Sequence, residues 1–95
     1  MVKVIWTELA INDLKSIHEY ISKDSEKYAN RFIESIIIKV DQLKVFPNLG
    51  RKVPEFNSES IRELFEGNYR IVYRMNTEQI GIIRIHHSAE QLNLT

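Results

Sequence analysis

The sequence predicts an α+β fold of order β-α-α-β-β-β, a helical hairpin packed on one face of a mainly antiparallel four-stranded sheet. Three observations predict it. Two apolar stripes of helical period lie between residues 8 and 45, separated by a short polar break. Three runs rich in β-forming residues lie between residues 60 and 87, joined by tight turn signals. A short alternating run precedes them all. Neither the helices nor the sheet can bury its apolar face alone, so each layer must cover the other.

Val2, Val4 and Trp6 alternate with Lys3 and Ile5, which suits a short strand with at least one buried face. Thr7 stands at a helix N-cap position, and Glu8 in the first turn opposes the positive helix end. Ala10, Leu14, Ile17 and Ile21 recur at steps of four, three and four, one stripe of an amphipathic helix running to about Ser22. Lys23-Asp24-Ser25 interrupts it, and Asp24 or Ser25 caps a second helix. Ala29, Phe32, Ile33, Ile36, Ile37, Val40 and Leu43 form a broader stripe. Ile36-Ile37-Ile38 is β-branched, yet the period across the segment is helical and outranks local propensity. Phe46 precedes Pro47, with Gly50 beyond it, so the second helix ends near Val45. So short a break between two helices makes an antiparallel hairpin.

Pro47 to Ser60 holds both prolines and reads as loop. Ser60 to Glu66 alternates, Gly67-Asn68 is a turn, and Tyr69 to Met75 is a strand. Asn76-Thr77-Glu78-Gln79 is a second tight connection, and Ile80 to His87 is the last strand. The tail from Ser88 to Thr95 is polar apart from Leu92 and Leu94 and reads as a short helical turn or a frayed end. No repeat, low-complexity tract or linker divides the chain, so residues 1–95 are expected to form a single domain.

Composition narrows the function. Thirteen basic residues balance 13 acidic ones, so any nucleic-acid role must rest on a local patch rather than on bulk charge. There is no cysteine, hence no disulfide and no thiolate site, which fits a reducing compartment. No apolar run approaches the roughly 18 residues of a membrane span. The apolar start is too short for a signal-peptide core, so a cytoplasmic location without membrane association is expected.

The usual catalytic patterns are missing: no phosphate-cradling glycine loop, no G-x-S-x-G elbow, no zinc spacing. His86 and His87 point to opposite faces of a regular strand and do not readily share one metal, so neither metal nor cofactor is expected. The distinctive feature is the placement of arginine. Arg31 is on the second helix, whereas Arg51, Arg62, Arg70, Arg74 and Arg84 all fall in the loop and the later strands. Strand parity puts Arg70, Val72 and Arg74 on one face, with Tyr69, Ile71, Tyr73 and Met75 on the other. In the last strand it sets Ile82, Arg84 and His86 against Ile83, Ile85 and His87. Arg70, Arg74, Arg84 and His86 would then gather on the sheet face away from the helices, where arginine grips phosphates or carboxylates in bidentate fashion. The plainer alternative is a polar open face on which arginines meet Glu63 or Glu66 across strands. From Gly67 to His87, however, the only acid is Glu78. His18 reads as a boundary residue, Tyr69 and Tyr73 as packing residues, and Gly50-Arg51 as a turn.

Trp6-Thr7-Glu8, followed by Asp13-Leu14, Ile17 and Tyr20-Ile21, resembles the opening of ParE-type toxins. So do Pro47-Asn48-Leu49-Gly50-Arg51 and Ile61-Arg62-Glu63-Leu64. The strongest blocks are Tyr69-Arg70-Ile71-Val72-Tyr73-Arg74 and Ile82-Ile83-Arg84-Ile85-His86-His87-Ser88-Ala89. In order and spacing the set is similar to the RelE/ParE toxin superfamily over nearly the whole chain. The long helices, the Pro-x-x-Gly-Arg motif and the neutral charge lean towards the ParE-like branch.

That resemblance implies the toxin of a type II toxin–antitoxin (plasmid stabilization) system, held inactive by a cognate antitoxin that reads operator DNA, so that the toxin meets that DNA only indirectly. ParE-like members poison DNA gyrase and are not enzymes. RelE-like members are endoribonucleases that cut mRNA on the ribosome, for which Arg62, Arg70, Arg84, His86 and His87 would be the catalytic candidates. Arg51, Arg62, Arg70, Arg74, Arg84 and Glu90 are the candidates for target binding. ParE-like toxins read His-x-x-Arg where this chain has Glu90 after His87-Ser88-Ala89. A carboxylate in place of a cation reverses the local interaction with an anionic partner. It marks either a weakened, antitoxin-binding member or a substitution that lets a toxic protein be expressed.

Overall fold

The computed structural model describes residues 1–88. The elements run β1 (Lys3–Trp6), α1 (Glu8–Ser22), α2 (Glu26–Asp41), a 3-10 turn (Gln42–Lys44), β2 (Arg51–Lys52), β3 (Ile61–Glu66), β4 (Tyr69–Met75) and β5 (Gln79–His87). Both helix starts are fixed by local chemistry. The Thr7 hydroxyl accepts from the Ala10 N–H at 3.2 Å and donates to the Ile82 carbonyl at 2.7 Å, so the cap of α1 is also a tie to the sheet. Ser25 rather than Asp24 caps α2, accepting from the Tyr28 N–H at 3.1 Å. The isoleucine triplet is helical, with Ile36 buried and Ile37 and Ile38 exposed.

Among the described residues the sheet has five strands in the order β1-β5-β4-β3-β2, with β1 parallel to β5 and the other pairs antiparallel. The expected architecture is therefore present with one strand more than the four expected. The addition is β2, inside the segment read as loop, where Arg51 and Lys52 pair with Glu63 and Arg62. A two-residue strand carries no period of its own and exists only because β3 offers it an edge.

The helices cover one face. Ala10 and Ile17 of α1, with Ile36 and Val40 of α2, pack on Leu64, Ile71, Tyr73, Ile80, Ile82 and Ile85. Each isoleucine, valine or leucine among them contributes roughly 1.5–3 kcal/mol on burial. The opposite face is not open, as a two-layer reading would have it. The connection after β2 lies across it, and Val53 and Phe56 pack there on Ile61, Val72 and Ile83.

Tyr73 anchors the connection between the helices and β2. Its hydroxyl accepts from the Gly50 N–H at 2.9 Å and donates to the Pro47 carbonyl at 2.8 Å. Burial pushes this phenol above its ordinary pKa, against smaller opposing effects of the Gly50 bond and Arg62, so it stays protonated and able to donate. Pro47 and Gly50, the fixed points of the Pro-x-x-Gly-Arg motif, are thus the two ends of one clamp. Tyr73→Phe leaves a buried N–H and a carbonyl unanswered and is expected to cost about 1–3 kcal/mol. Urea denaturation reads this directly, and an unchanged midpoint would show that the clamp contributes nothing.

Two rungs of the sheet edges are closed by helix side chains. Beyond the end of β1, the Ile85 N–H of β5 donates to the Asp13 carboxylate of α1 at 2.9 Å. On the other side, Lys39 of α2 donates to the Phe65 carbonyl of β3 at 2.7 Å and pairs with Glu66 at 3.0 Å.

Candidate functional site

The arginines of the loop and strands were the sequence's main functional signal, and their surroundings decide what they can do. In β4 the alternation is as expected: Ile71 and Tyr73 enter the helix-side core, while Arg70, Val72 and Arg74 face the other way. In β5 it is not. The ladder pairs Val72 with Arg84 but Tyr73 with Ile82, so Ile83 is the extra residue of a β-bulge. Ile82 and Ile85 therefore both face the helices, and Ile83 and Arg84 fall together on the other side. Ile82 leaves its expected grouping for that reason, while Arg84 and His86 still share a face with Arg70 and Val72.

Arg70 is the most enclosed cation, 6% exposed. Its Nε donates to Glu63 Oε1 at 2.5 Å, and its two terminal nitrogens donate to the Glu55 oxygens at 2.8 Å each. Hydrogen bonding to Glu55, opposed by burial and reinforced by Glu63, raises its pKa above the ordinary arginine value, so the charge is permanent. Glu63, with a fully buried side chain, also accepts from Arg51 Nε at 2.7 Å. Arg51 in turn lies over the Phe65 ring, 5.0 Å from its centroid. Arg51, Glu63, Arg70 and Glu55 form a neutral chain of two cations and two anions. Arg70 meets Glu63 diagonally across β3 and β4, which is the cross-strand alternative raised by the sequence.

Arg62 is paired with Tyr73 in the ladder, which puts it on the helix-side face, away from Arg70. It donates to the Gly50 carbonyl at 3.0 Å and to Glu59 at 3.2 Å. Arg84 reaches Asp13 of α1 with two bonds, 2.9 and 3.1 Å long. Arg74 is exposed at the far end of β4. His86 is the ladder neighbour of Arg70, and His87 meets Tyr69 edge-on at 5.4 Å between ring centroids. The structure thus brings Arg70, His86 and Arg84 to neighbouring rungs, but it sets Arg62 on the other face and Arg74 at the other end. Glu90 lies outside the described residues.

The sequence signal missed the partners. Glu55, Glu59 and Asp13 are, respectively, 15, 3 and 71 residues from the arginines they hold. Only the i,i+3 pair of Glu59 and Arg62 had a spacing that draws attention. His18, read as a boundary residue, bridges the hairpin through its Nε2, 2.6 Å from the Asn30 amide oxygen.

A cavity of about 590 Å³ opens between the helical hairpin and the ends of β4 and β5. Tyr20, Tyr28, Phe32 and Tyr69 give it an aromatic wall, while Asp13, Arg84 and His87 supply polar groups. Phe32 packs between Tyr28 and Tyr69, with centroids 6.3 and 5.6 Å away, so part of the wall is a continuous row of rings. Among the described residues, no three histidine or carboxylate side chains lie together as metal ligands. No helix there is long and apolar enough to cross a membrane.

The family described as the ParE toxin of the type II toxin-antitoxin system, parDE, matches residues 4–92. Toxin RelE2 of Caulobacter vibrioides is 32% identical over 90 residues, covering 94% of this chain and 98% of its own length. Toxin RelE3 of the same organism is 29% identical over 86 residues, covering 86% of this chain and 89% of its own. Among solved structures, a chain of the chromosomal ParDE TA system from P. aeruginosa has the same fold. It superposes with a TM-score of 0.75 at 24% identity, over 92% of this chain and 96% of that one.

Proposed function

The chain belongs to the ParE toxin family of type II toxin–antitoxin systems, and from that membership we propose that it inhibits DNA gyrase by binding and is neutralised by its cognate antitoxin. The observation that carries this reading over mRNA cleavage is the double clamp on Arg70. A nuclease acting through its own side chains needs a general acid, a general base and cations free to receive the phosphate charge of the transition state. Here Glu55 and Glu63 already occupy Arg70, Asp13 occupies Arg84, and Arg62 stands on the opposite face. Binding a protein target asks for no such free cluster.

The aromatic cleft supports placing an antitoxin segment there. A row of rings beside polar groups suits an amphipathic peptide that buries apolar anchors and pairs its charges at the rim. A RelE-like activity is the second reading, favoured by the names of the Caulobacter relatives and by the adjacency of Arg70 and His86.

The test is pulse-labelling of DNA and protein synthesis minutes after induction of the chain, alongside a supercoiling assay with purified gyrase. Early arrest of DNA synthesis with lost supercoiling is the expected result. Normal supercoiling at high excess of toxin, with protein synthesis falling first, would replace the gyrase reading by the nuclease one. If only the Glu90→Arg form arrests either process, the chain is a disarmed member that retains antitoxin binding.

A further inference from the structure

At the end of β4 opposite the aromatic cleft, a second hollow of about 340 Å³ lies against Arg74, Asn76, Gln79, Gly81, Ile83 and Thr7. We infer that this hollow is a docking site for a carboxylate side chain, Asp or Glu, carried by an acidic segment of a protein partner.

The first observation is the state of Arg74. Among the described residues, the other four arginines of the loop and strands each hold a carboxylate: Arg51 that of Glu63, Arg62 that of Glu59, Arg70 those of Glu55 and Glu63, and Arg84 that of Asp13. Arg74 has no ion pair among the described residues and is exposed to solvent. Arg70 and Arg84 show how this side chain is satisfied in the same molecule, by two-nitrogen forks on a single carboxylate.

The second observation is the residue beside it. Arg74 stands opposite Gly81 in the ladder, so the two occupy the same face. Neither space nor backbone conformation demands glycine there, although the bulge at Ile83 lies two residues further along the strand. Its φ is not positive, and a Cβ added at the position would meet nothing within 4 Å. Glycine inside a strand weakens it and often marks a bulge or a close approach by a ligand or another backbone. Here it leaves a bare floor alongside the guanidinium, wide enough for a planar carboxylate and its stem.

The third is the orientation of the rim. The Asn76 amide oxygen accepts the N–H groups of Glu78 and Gln79, both at 2.9 Å, which leaves its –NH₂ as the donor end. Gln79 adds a second side-chain amide. One cation, the donor end of Asn76 and a second side-chain amide around an open floor suit one anionic group.

A carboxylate rather than a nucleic-acid backbone is indicated by the charge. Nucleic-acid affinity accumulates over several phosphates. This chain has no net charge, and its neighbouring arginines are already neutralised. The inference is independent of the gyrase reading, because its test uses neither gyrase nor antitoxin.

The experiment is a titration of the ¹⁵N-labelled chain with an acetylated tetraglutamate peptide, following backbone amides and arginine Nε–H signals by NMR. A tetraglutamine peptide and a short single-stranded RNA serve as comparisons. Saturable shifts at Arg74 Nε–H, Asn76, Gln79 and Gly81 are expected with the glutamate peptide alone. Arg74→Gln should weaken binding at least about tenfold, as loss of hydrogen bonds to a charged group does. Gly81→Val, which keeps every charge and fills the floor, should weaken it too while the fold is retained. No saturable shift, shifts spread evenly over exposed lysines and arginines, binding undiminished in Arg74→Gln, or tighter binding of RNA at physiological salt would each overturn the assignment.

Discussion

Gly50→Ala is expected to lower the stability of the fold sharply, although it adds one methyl group. A Cβ at this position would lie 2.6 Å from the Glu63 carbonyl oxygen and 2.7 Å from the Tyr73 hydroxyl. Neither can retreat cheaply. Glu63 is held in β3 by ladders on both sides, and Tyr73 is fully buried and bonded to Pro47. Overpacking of this kind costs about 1–3 kcal/mol, and displacing the Gly50–Tyr73 hydrogen bond adds about 1 more. Against a total stability of roughly 5–15 kcal/mol for a small domain, that is a large share. Thermal unfolding should show a midpoint lowered by roughly 12 °C or more. A variant that melts with the parent would mean that the segment before β2 moves freely.

Arg70→Ala is expected to be as damaging, for an electrostatic reason. It removes the cation that Glu63 and Glu55 share and leaves the fully buried Glu63 side chain with Arg51, a partner more than half exposed. Breaking a buried pair from one side costs about 3–5 kcal/mol, because the surviving charge stays desolvated. The same variant separates two roles. A structural Arg70 predicts loss of the fold together with loss of toxicity. A stable, well-folded Arg70→Ala protein that no longer arrests growth would instead make Arg70 a contact to the target and revive the nuclease reading. Circular dichroism and denaturant unfolding, run beside the growth assay, tell them apart.

The parts of the fold that were legible in sequence are those whose cause is local. The caps at Thr7 and Ser25, the helical period through Ile36-Ile37-Ile38 and the Gly67-Asn68 turn each need only a few neighbouring residues to be recognised. At that turn Gly67 has φ +56°, as a two-residue hairpin with glycine in its first position requires. The strand β2 was not legible, since it depends on an edge, that of β3, which lies further along the chain. The bulge at Ile83 was not legible either. Ile82-Ile83-Arg84-Ile85 is a run of good strand residues with nothing to say that one of them is extra, yet that residue changes which side chains share a face.

For the arginines the limit is of another kind. Their number and clustering were plain, but whether an arginine is a ligand for something else or part of the fold depends on where the acids come to rest. Asp13 reaches Arg84 only once α1 is laid beside β5, and Glu55 reaches Arg70 only once its connection crosses the sheet. The helix-side core could be read from the pattern. The layer formed by Val53 and Phe56 on the other face could not, because a connection with no period announces no face to bury.

The carboxylate of Asp13 and the ammonium of Lys39, each resting on a rung of the sheet, bear on how this chain behaves in a crowded solution. Unfinished ladders are where proteins adhere to one another, strand joining strand into ever longer polymers. At Ile85 and Phe65 that growth would have to begin by evicting an ion already hydrogen-bonded in place. The same obstacle meets any partner, another copy of the chain included, that would extend the sheet at those two rungs.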